Sequence, residues 1–248
     1  MQNAQVGRMG LKDDRRMMLV NETGNQITQR ERPRLALVTP TLQEGVLTLS
    51  APDYDSLQIG LRTSGVRETV TLWKRESLQA IDQGDEAADW FSTWIGVRVR
   101  LMHMADGFQR LLEEDWRVQP DDHTGFADGY PVLITSEEGL QDLNQRLETP
   151  VPMNRFRPNL VVKGGPAYVE DRWNRICVGD VQLAVVKPCA RCVVTTIDKD
   201  TLAKSKEPLR TLEKYRRHPL GAIFGQNAIP LNTGTLHVGM PIEVLSER

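Results

Sequence analysis

The segment ICVGDVQLAVVKP, residues 176–188, runs a short apolar stretch into a Val-Gly-Asp turn and out into a second apolar stretch. TLHVGMPIEVL, residues 235–245, repeats the device with a Val-Gly-Met-Pro turn, and NLVVKG and GAIFGQNAIPL add further strand-like runs. Short strands joined by tight turns leave no room for the long crossovers that a parallel sheet requires. The pattern therefore predicts a closed or nearly closed β-barrel.

The N-terminal third follows the same grammar. Leu19 and Val20, a turn over 22–25, and Ile27 read as a hairpin, with a further strand near Leu35–Val38. GVLTLSAP and DSLQIGLR alternate, and Val66–Leu72 is another extended run. The acidic stretch IDQGDEAADWFSTWIG then spaces Ala87, Trp90, Phe91 and Trp94 along one helix face, with Asp85 as its cap. Residues 115–130 read as a loop bordering a cleft. Val132–Thr135 reads as a buried strand entering a helix capped by Ser136, whose apolar face is Leu140, Leu143 and Leu147. A brief helix is expected over 210–217. The fold class is mainly β with some α: a small β-rich N-terminal domain over 1–80, then a larger β-barrel domain over 81–248, with the acidic helix near the seam.

A chain of 248 residues can bury a core without help from metals or disulfides. The 31 Lys and Arg nearly balance the 33 Asp and Glu, which gives no reason to expect a nucleic-acid or membrane-surface partner. Three cysteines and no apolar leader suit a reducing cytoplasm. No apolar run approaches the roughly 20 residues needed to span a bilayer.

Four segments carry candidate chemistry. A strand ending at a helix N-terminus presents backbone donors and the Thr135 and Ser136 hydroxyls to an anion, or is an ordinary cap. In RFRPN, residues 155–159, a regular strand would put Arg157 and Asn159 on one face, suiting an anionic, ring-bearing ligand, or the segment is a solvated basic edge. DDRR, residues 13–16, offers another arginine near a strand start. KPCARC, residues 187–192, holds two of the three cysteines. Zinc needs about four ligands, and the spacing of Cys177, Cys189 and Cys192 does not supply a two-plus-two set. A redox dithiol should open a helix, whereas the β-branched CVVTTID reads as a strand. Two readings remain: buried apolar cysteines, or one thiolate, favoured by Lys187 and Arg191, offered to a soft metal held elsewhere.

The long segment from NRFRPNLVVKGG through KPCARCVVTTIDKDT, with EPLRTLEKYR and IFGQNAIPL, resembles the MOSC domain of the mitochondrial amidoxime-reducing components and their bacterial relatives. DDRRMMLVNETGNQITQRERPRLALV resembles the β-barrel domain that precedes it in that family. The resemblance implies a molybdenum-cofactor (molybdopterin with Mo) oxidoreductase that reduces N-hydroxylated or other N-oxygenated small molecules. It implies that Cys192 is the molybdenum ligand and catalytic residue and that Cys189 is a non-ligand neighbour. Arg15 (of the Asp14–Arg15 pair), Thr135, Ser136, Arg157 and Asn159 fall where the family holds the cofactor.

Family members usually begin with a further strand carrying Tyr-Pro-Val-Lys-Ser, whereas this sequence opens at MQNAQVGRMG; the N-terminal barrel is therefore expected to lack an edge strand. Some bacterial relatives continue into a ferredoxin-like domain beyond the point where this sequence stops at VLSER, so the expected electron donor is a separate reductase, iron–sulfur or haem protein. The expected state is a cytoplasmic monomer. The competing reading is a non-catalytic carrier of molybdenum cofactor or sulfur, which would bind cofactor without reducing a hydroxylamine or amidoxime.

Overall fold

The computed structural model describes residues 2–73 and 76–248. The chain divides into two compact units. One comprises residues up to Asp14 together with Leu111–Asp198 and Ala203–Arg248; the other comprises Arg15–Arg110 and Lys199–Leu202.

The larger unit is built on a seven-stranded, barrel-like sheet. Its strands are β1 (Val132–Ser136), β2 (Leu160–Val162), β3 (Trp173–Val178), β4 (Val181–Ala190), β5 (Arg217–His218), β6 (Gly221–Pro230) and β7 (Ile242–Glu247). The order is β2-β1-β6-β4-β3-β7, with β5 paired to β6. Only β1 and β2 run parallel; every other pairing in the sheet is antiparallel. Val132, Ile134, Ile176, Leu183, Val185 and Ala228 fill the core against one face. The Val-Gly-Asp turn closes the β3–β4 hairpin, with Val178 opposite Val181. Gly179 there has φ 57°, in the left-handed region that penalises a Cβ. Gly225 in β6 is required by closeness instead: a Cβ would sit 2.5 Å from the Ile134 carbonyl oxygen.

A second apolar cluster gathers Leu143 from the helix Glu137–Gln145, Leu212 from the helix Leu209–Tyr215, and Phe156 and Phe224. The two phenyl rings stack with centroids 4.0 Å apart. A small three-stranded sheet pairs Asn3–Gly7 with Gly234–His237 and Gly10–Leu11. Residues 3–11 thus pair within the larger compact unit.

The smaller unit has a five-stranded antiparallel sheet in the order Gln26–Ile27, Met17–Val20, Arg100–Met104, Glu76–Asp82, Arg67–Leu72. A three-stranded meander is formed by Thr39–Gln43, Val46–Ala51 and Tyr54–Gly60. The helix Asp85–Ile95 packs Trp90, Phe91 and Trp94 into this unit's core with Leu47, Leu49 and Ile59. Trp90 also donates its indole N–H to the Asp55 carbonyl at 2.7 Å. The expected seam at 80/81 therefore falls inside the strand Glu76–Asp82, which pairs with Arg100–Met104 in one sheet, while the helix between them shares a core with Leu101 of the later strand.

Two local expectations are revised. The segment near Leu35–Val38 is a 3-10 helix, Pro33–Leu37, because Pro33 has a fixed φ and no N–H to give a ladder. Arg34 in it lies 4.0 Å from the centroid of Trp94. Asp85 does not cap its helix: Gly84, at φ 96°, is the N-cap, and its N–H is taken by the Asp82 carboxylate at 2.6 Å. Asp85 instead accepts from Arg100 at 2.9 Å. Among the described residues no helix is long and apolar enough to cross a membrane.

Candidate functional site

KPCARC begins inside β4 and runs past the end of that strand to Cys192. Pairing with β6 continues irregularly to Ala190 opposite Ile223, with register shifts on both sides of the Lys187–Pro188 step. Pro188 has no N–H for the ladder, which favours such an irregularity. The Arg191 N–H still reaches the Ala222 carbonyl at 2.7 Å, but β6 begins at Gly221 and the ladder has no further partner. Cys192 accordingly becomes the N-cap of a 3-10 turn, Val193–Thr196. Its carbonyl accepts from the Thr195 N–H at 3.1 Å and the Thr195 hydroxyl at 2.9 Å, and the Thr196 hydroxyl donates back to Val193 at 2.7 Å.

CVVTTID is therefore not the expected strand. Threonines that satisfy carbonyls three residues back compete with extended pairing. The objection to a redox dithiol survives on different ground, since a four-residue 3-10 turn supplies little of the aligned dipole that activates a thiol. None of the three cysteines forms a disulfide, and Cys189 and Cys192 are both half-buried.

Arg191 organises this corner. Its Nη1 donates to the Cys189 sulfur at 2.8 Å and its Nη2 to the Phe156 carbonyl at 2.7 Å. The guanidinium thus serves Cys189 and the RFRPN segment, where the sequence pattern offered it as a thiolate-favouring charge. Lys187 is engaged differently: its ammonium pairs with Glu113 and lies 5.3 Å and 5.6 Å from the ring centroids of Trp116 and Tyr130. Burial, then the Glu113 charge, pushes the Tyr130 phenol above its usual range. The loop over 115–130 thereby contributes two aromatics to the flank of KPCARC.

RFRPN is a turn and not the expected regular strand. Met153–Arg155 is a 3-10 helix, Phe156 caps it, Arg157 takes a left-handed φ of 55°, and β2 begins only at Leu160. The two arginines diverge: Arg155 is buried and pairs with Asp198 at 2.6 Å, whereas Arg157 is exposed. Asn159 is pinned from two sides. Its backbone N–H donates to the Leu133 carbonyl and its side-chain oxygen accepts from the Leu133 N–H, both at 2.9 Å, and its Nδ2 donates to Asp14 at 2.7 Å. Asp14 and Asn159, both picked out in the sequence, are brought together across 145 positions.

Thr135 and Ser136 are fully buried. The Thr135 hydroxyl donates to the Met153 sulfur at 3.3 Å. Ser136 is the cap of Glu137–Gln145, its oxygen accepting from the Gly139 and Tyr168 N–H groups at 3.2 Å each. The Ser136 N–H is taken by the Glu170 carboxyl at 3.2 Å. The helix end that the sequence offered to an anion is closed by its own cap. Burial raises the Glu170 carboxyl above the ordinary carboxylate range. Arg15, at φ 51°, is the first residue of the other compact unit.

Among the described residues no three His, Cys, Asp or Glu side chains converge to hold a metal ion. The donor set at this corner is one half-buried thiol at a strand end, an exposed guanidinium and an amide. That set fits a metal whose other ligands and anionic tail belong to a cofactor. Sequence spacing could not reveal Arg191 as a link or Asp198 as the partner of Arg155, because the bonds span 35 and 43 positions.

The MOSC domain model matches residues 121–243, and the MOSC N-terminal beta barrel domain model matches residues 1–98. The chain is 36% identical to mitochondrial amidoxime-reducing component 1 of Mus musculus, over 97% of this chain and 74% of that protein. It is 35% identical to the Homo sapiens component 1, covering 98% and 77%, and 35% identical to the Rattus norvegicus component 2, covering 95% and 74%.

Proposed function

The chain belongs to the MOSC-domain family that includes the mitochondrial amidoxime-reducing components, and on that premise we propose that it is a molybdenum-cofactor-dependent reductase of N-hydroxylated and other N-oxygenated compounds. The observation that carries the reading is Cys192: one half-buried sulfur where β4 ends, outside any disulfide or multi-residue metal cluster of the described chain, in a segment bonded to the turn that displays Arg157. Bound there, the cofactor supplies the two electrons that break the N–O bond. An amidoxime takes up those electrons and two protons to give an amidine and water.

The residues have separable tasks. Cys192 provides the thiolate ligand, which tunes the metal. Arg157 and Asn159 hold the anionic part of the cofactor, a guanidinium being suited to bidentate phosphate binding. Asp14 fixes the Asn159 amide. Thr135 and Ser136 act beneath the site, where they hold the β1–helix junction through the contacts above. Electrons arrive from a separate donor protein.

The test is to purify the protein from cells that make molybdenum cofactor, measure metal and pterin, and assay an aromatic amidoxime with reduced viologen as donor. Roughly equimolar cofactor and turnover are expected, and Cys192→Ala should abolish turnover. A Cys192→Ala protein that keeps its metal and its activity would overturn the ligand assignment. A wild-type protein that binds cofactor but reduces no N-oxygenated compound would establish the carrier reading instead.

A further inference from the structure

The turn carrying Arg157 and the turn carrying Cys192 are joined by two arginines that cross in opposite directions. From the cysteine side, Arg191 reaches the Phe156 carbonyl at 2.7 Å while its other terminal nitrogen holds the Cys189 sulfur at 2.8 Å. From the RFRPN side, Arg155 reaches Asp198, six residues past Cys192, at 2.6 Å. Phe156 lies between these links: it is fully buried, stacks on Phe224, and has the Arg191 guanidinium 5.6 Å from its ring centroid.

We infer that Arg191 and Arg155 form a clasp that sets the distance between the Cys192 sulfur and the Arg157 guanidinium, with Cys189 serving as the second acceptor of Arg191. This rests on the reading in which Cys192 and Arg157 hold one cofactor. Neither anchor sits in regular secondary structure that would fix it: Arg157 lies at a left-handed position between a 3-10 turn and β2, and Cys192 lies past the end of the β4–β6 ladder. Backbone bonds close each turn on itself, from the Arg157 N–H to the Asn154 carbonyl at 3.2 Å and from the Thr195 N–H to the Cys192 carbonyl at 3.1 Å, and the bonds that run from one turn to the other come from the Arg155 and Arg191 side chains. A planar fork with two terminal nitrogens can hold two acceptors at once, which an ammonium cannot do with the same geometry. Cys189 thereby acquires a task distinct from metal ligation, and Arg155 and Arg191 become positioning residues.

The test uses the full chain. In protein without cofactor, hydrogen exchange of amides is followed in Arg191→Ala, Arg155→Met, Cys189→Ala and Cys189→Ser. Arg191→Ala should speed exchange at residues 153–159, and Arg155→Met should speed it at 192–198, with the β3–β4 hairpin unchanged. In cofactor-loaded protein, Arg191→Ala should weaken pterin retention about 10- to 100-fold, the range seen when outer partners of metal ligands are removed. Arg191→Lys should restore it only in part. Cys189→Ser, which keeps an acceptor, should retain more cofactor than Cys189→Ala. Unchanged exchange in both arginine variants, or faster exchange with wild-type cofactor retention, would overturn the clasp. A wild-type protein that never takes up pterin would instead sink the functional reading, while the exchange experiment would still report on the clasp.

Discussion

The helix Asp85–Ile95 and the corner made by RFRPN and KPCARC are held by different physics. The helix is fixed by area: Trp90, Phe91 and Trp94 are almost wholly buried, and Tyr54 approaches the Trp90 and Trp94 rings at 5.2 and 5.1 Å. The corner is fixed by direction. Phe156 anchors it against Phe224, but between Met153 and Asn159 and past Ala190 its segments leave the strands, and guanidinium, amide and carboxylate bonds orient them there. Apolar burial is nondirectional and tolerates small displacements, so it can build a unit but cannot by itself place a sulfur opposite a guanidinium. Polar bonds between distant segments can, because they weaken steeply with misalignment.

The sharpest test of that contrast is Trp90→Ala. It removes a large buried ring and the Asp55 bond, so it should cost the smaller unit about 3–5 kcal/mol, read as a lowered urea midpoint. A loss below about 1 kcal/mol would break the claim that burial area holds this helix. Ser136→Ala is the intermediate case. It leaves the Gly139 and Tyr168 N–H groups without their acceptor and should cost about 1–2 kcal/mol, the upper range for a lost cap. A neutral effect would mean that Ser136 is not a structural cap, and would return its hydroxyl to direct cofactor binding.

The smallest effect is a pH dependence at Glu170, where burial raises the carboxyl above its usual range. A carboxyl whose folded pKa lies above its unfolded value of about 4.3 stabilises most fully below that value. Its contribution is lost as pH rises through the folded pKa. Glu170→Gln cannot ionise and keeps an oxygen for the Ser136 N–H. Its unfolding midpoint should match wild type near pH 4 and exceed it near pH 7. Parallel midpoint curves across that range would show that Glu170 does not titrate in the folded protein.

Legibility followed the same division. The Val-Gly-Asp hairpin, the Ser136 cap and the Ala87–Trp90–Phe91–Trp94 face were visible because each depends on residues within a few positions of one another. Asp85 fails as a cap because Asp82 and Gly84 close that helix end. CVVTTID has the β-branched composition of a strand but forms none, since β6 offers no partner beyond its first residues. Asn3–Gly7 pairs with Gly234–His237, and local patterns give no sign of a pairing between segments so far apart in the chain.

What the amino-acid sequence by itself determined is the mainly β architecture, its turns, and the family to which Cys192, Arg157 and Asn159 belong, since all of these rest on local patterns of side chains. Only the tertiary structure decided that Arg155 turns inward while Arg157 faces out, that Glu170 and Tyr168 close around Ser136, and that Arg191 joins Cys189 to Phe156. Those outcomes depend on donors and acceptors tens of positions apart, and a hydrogen bond carries no trace in the spacing of residues that meet only after the chain has folded.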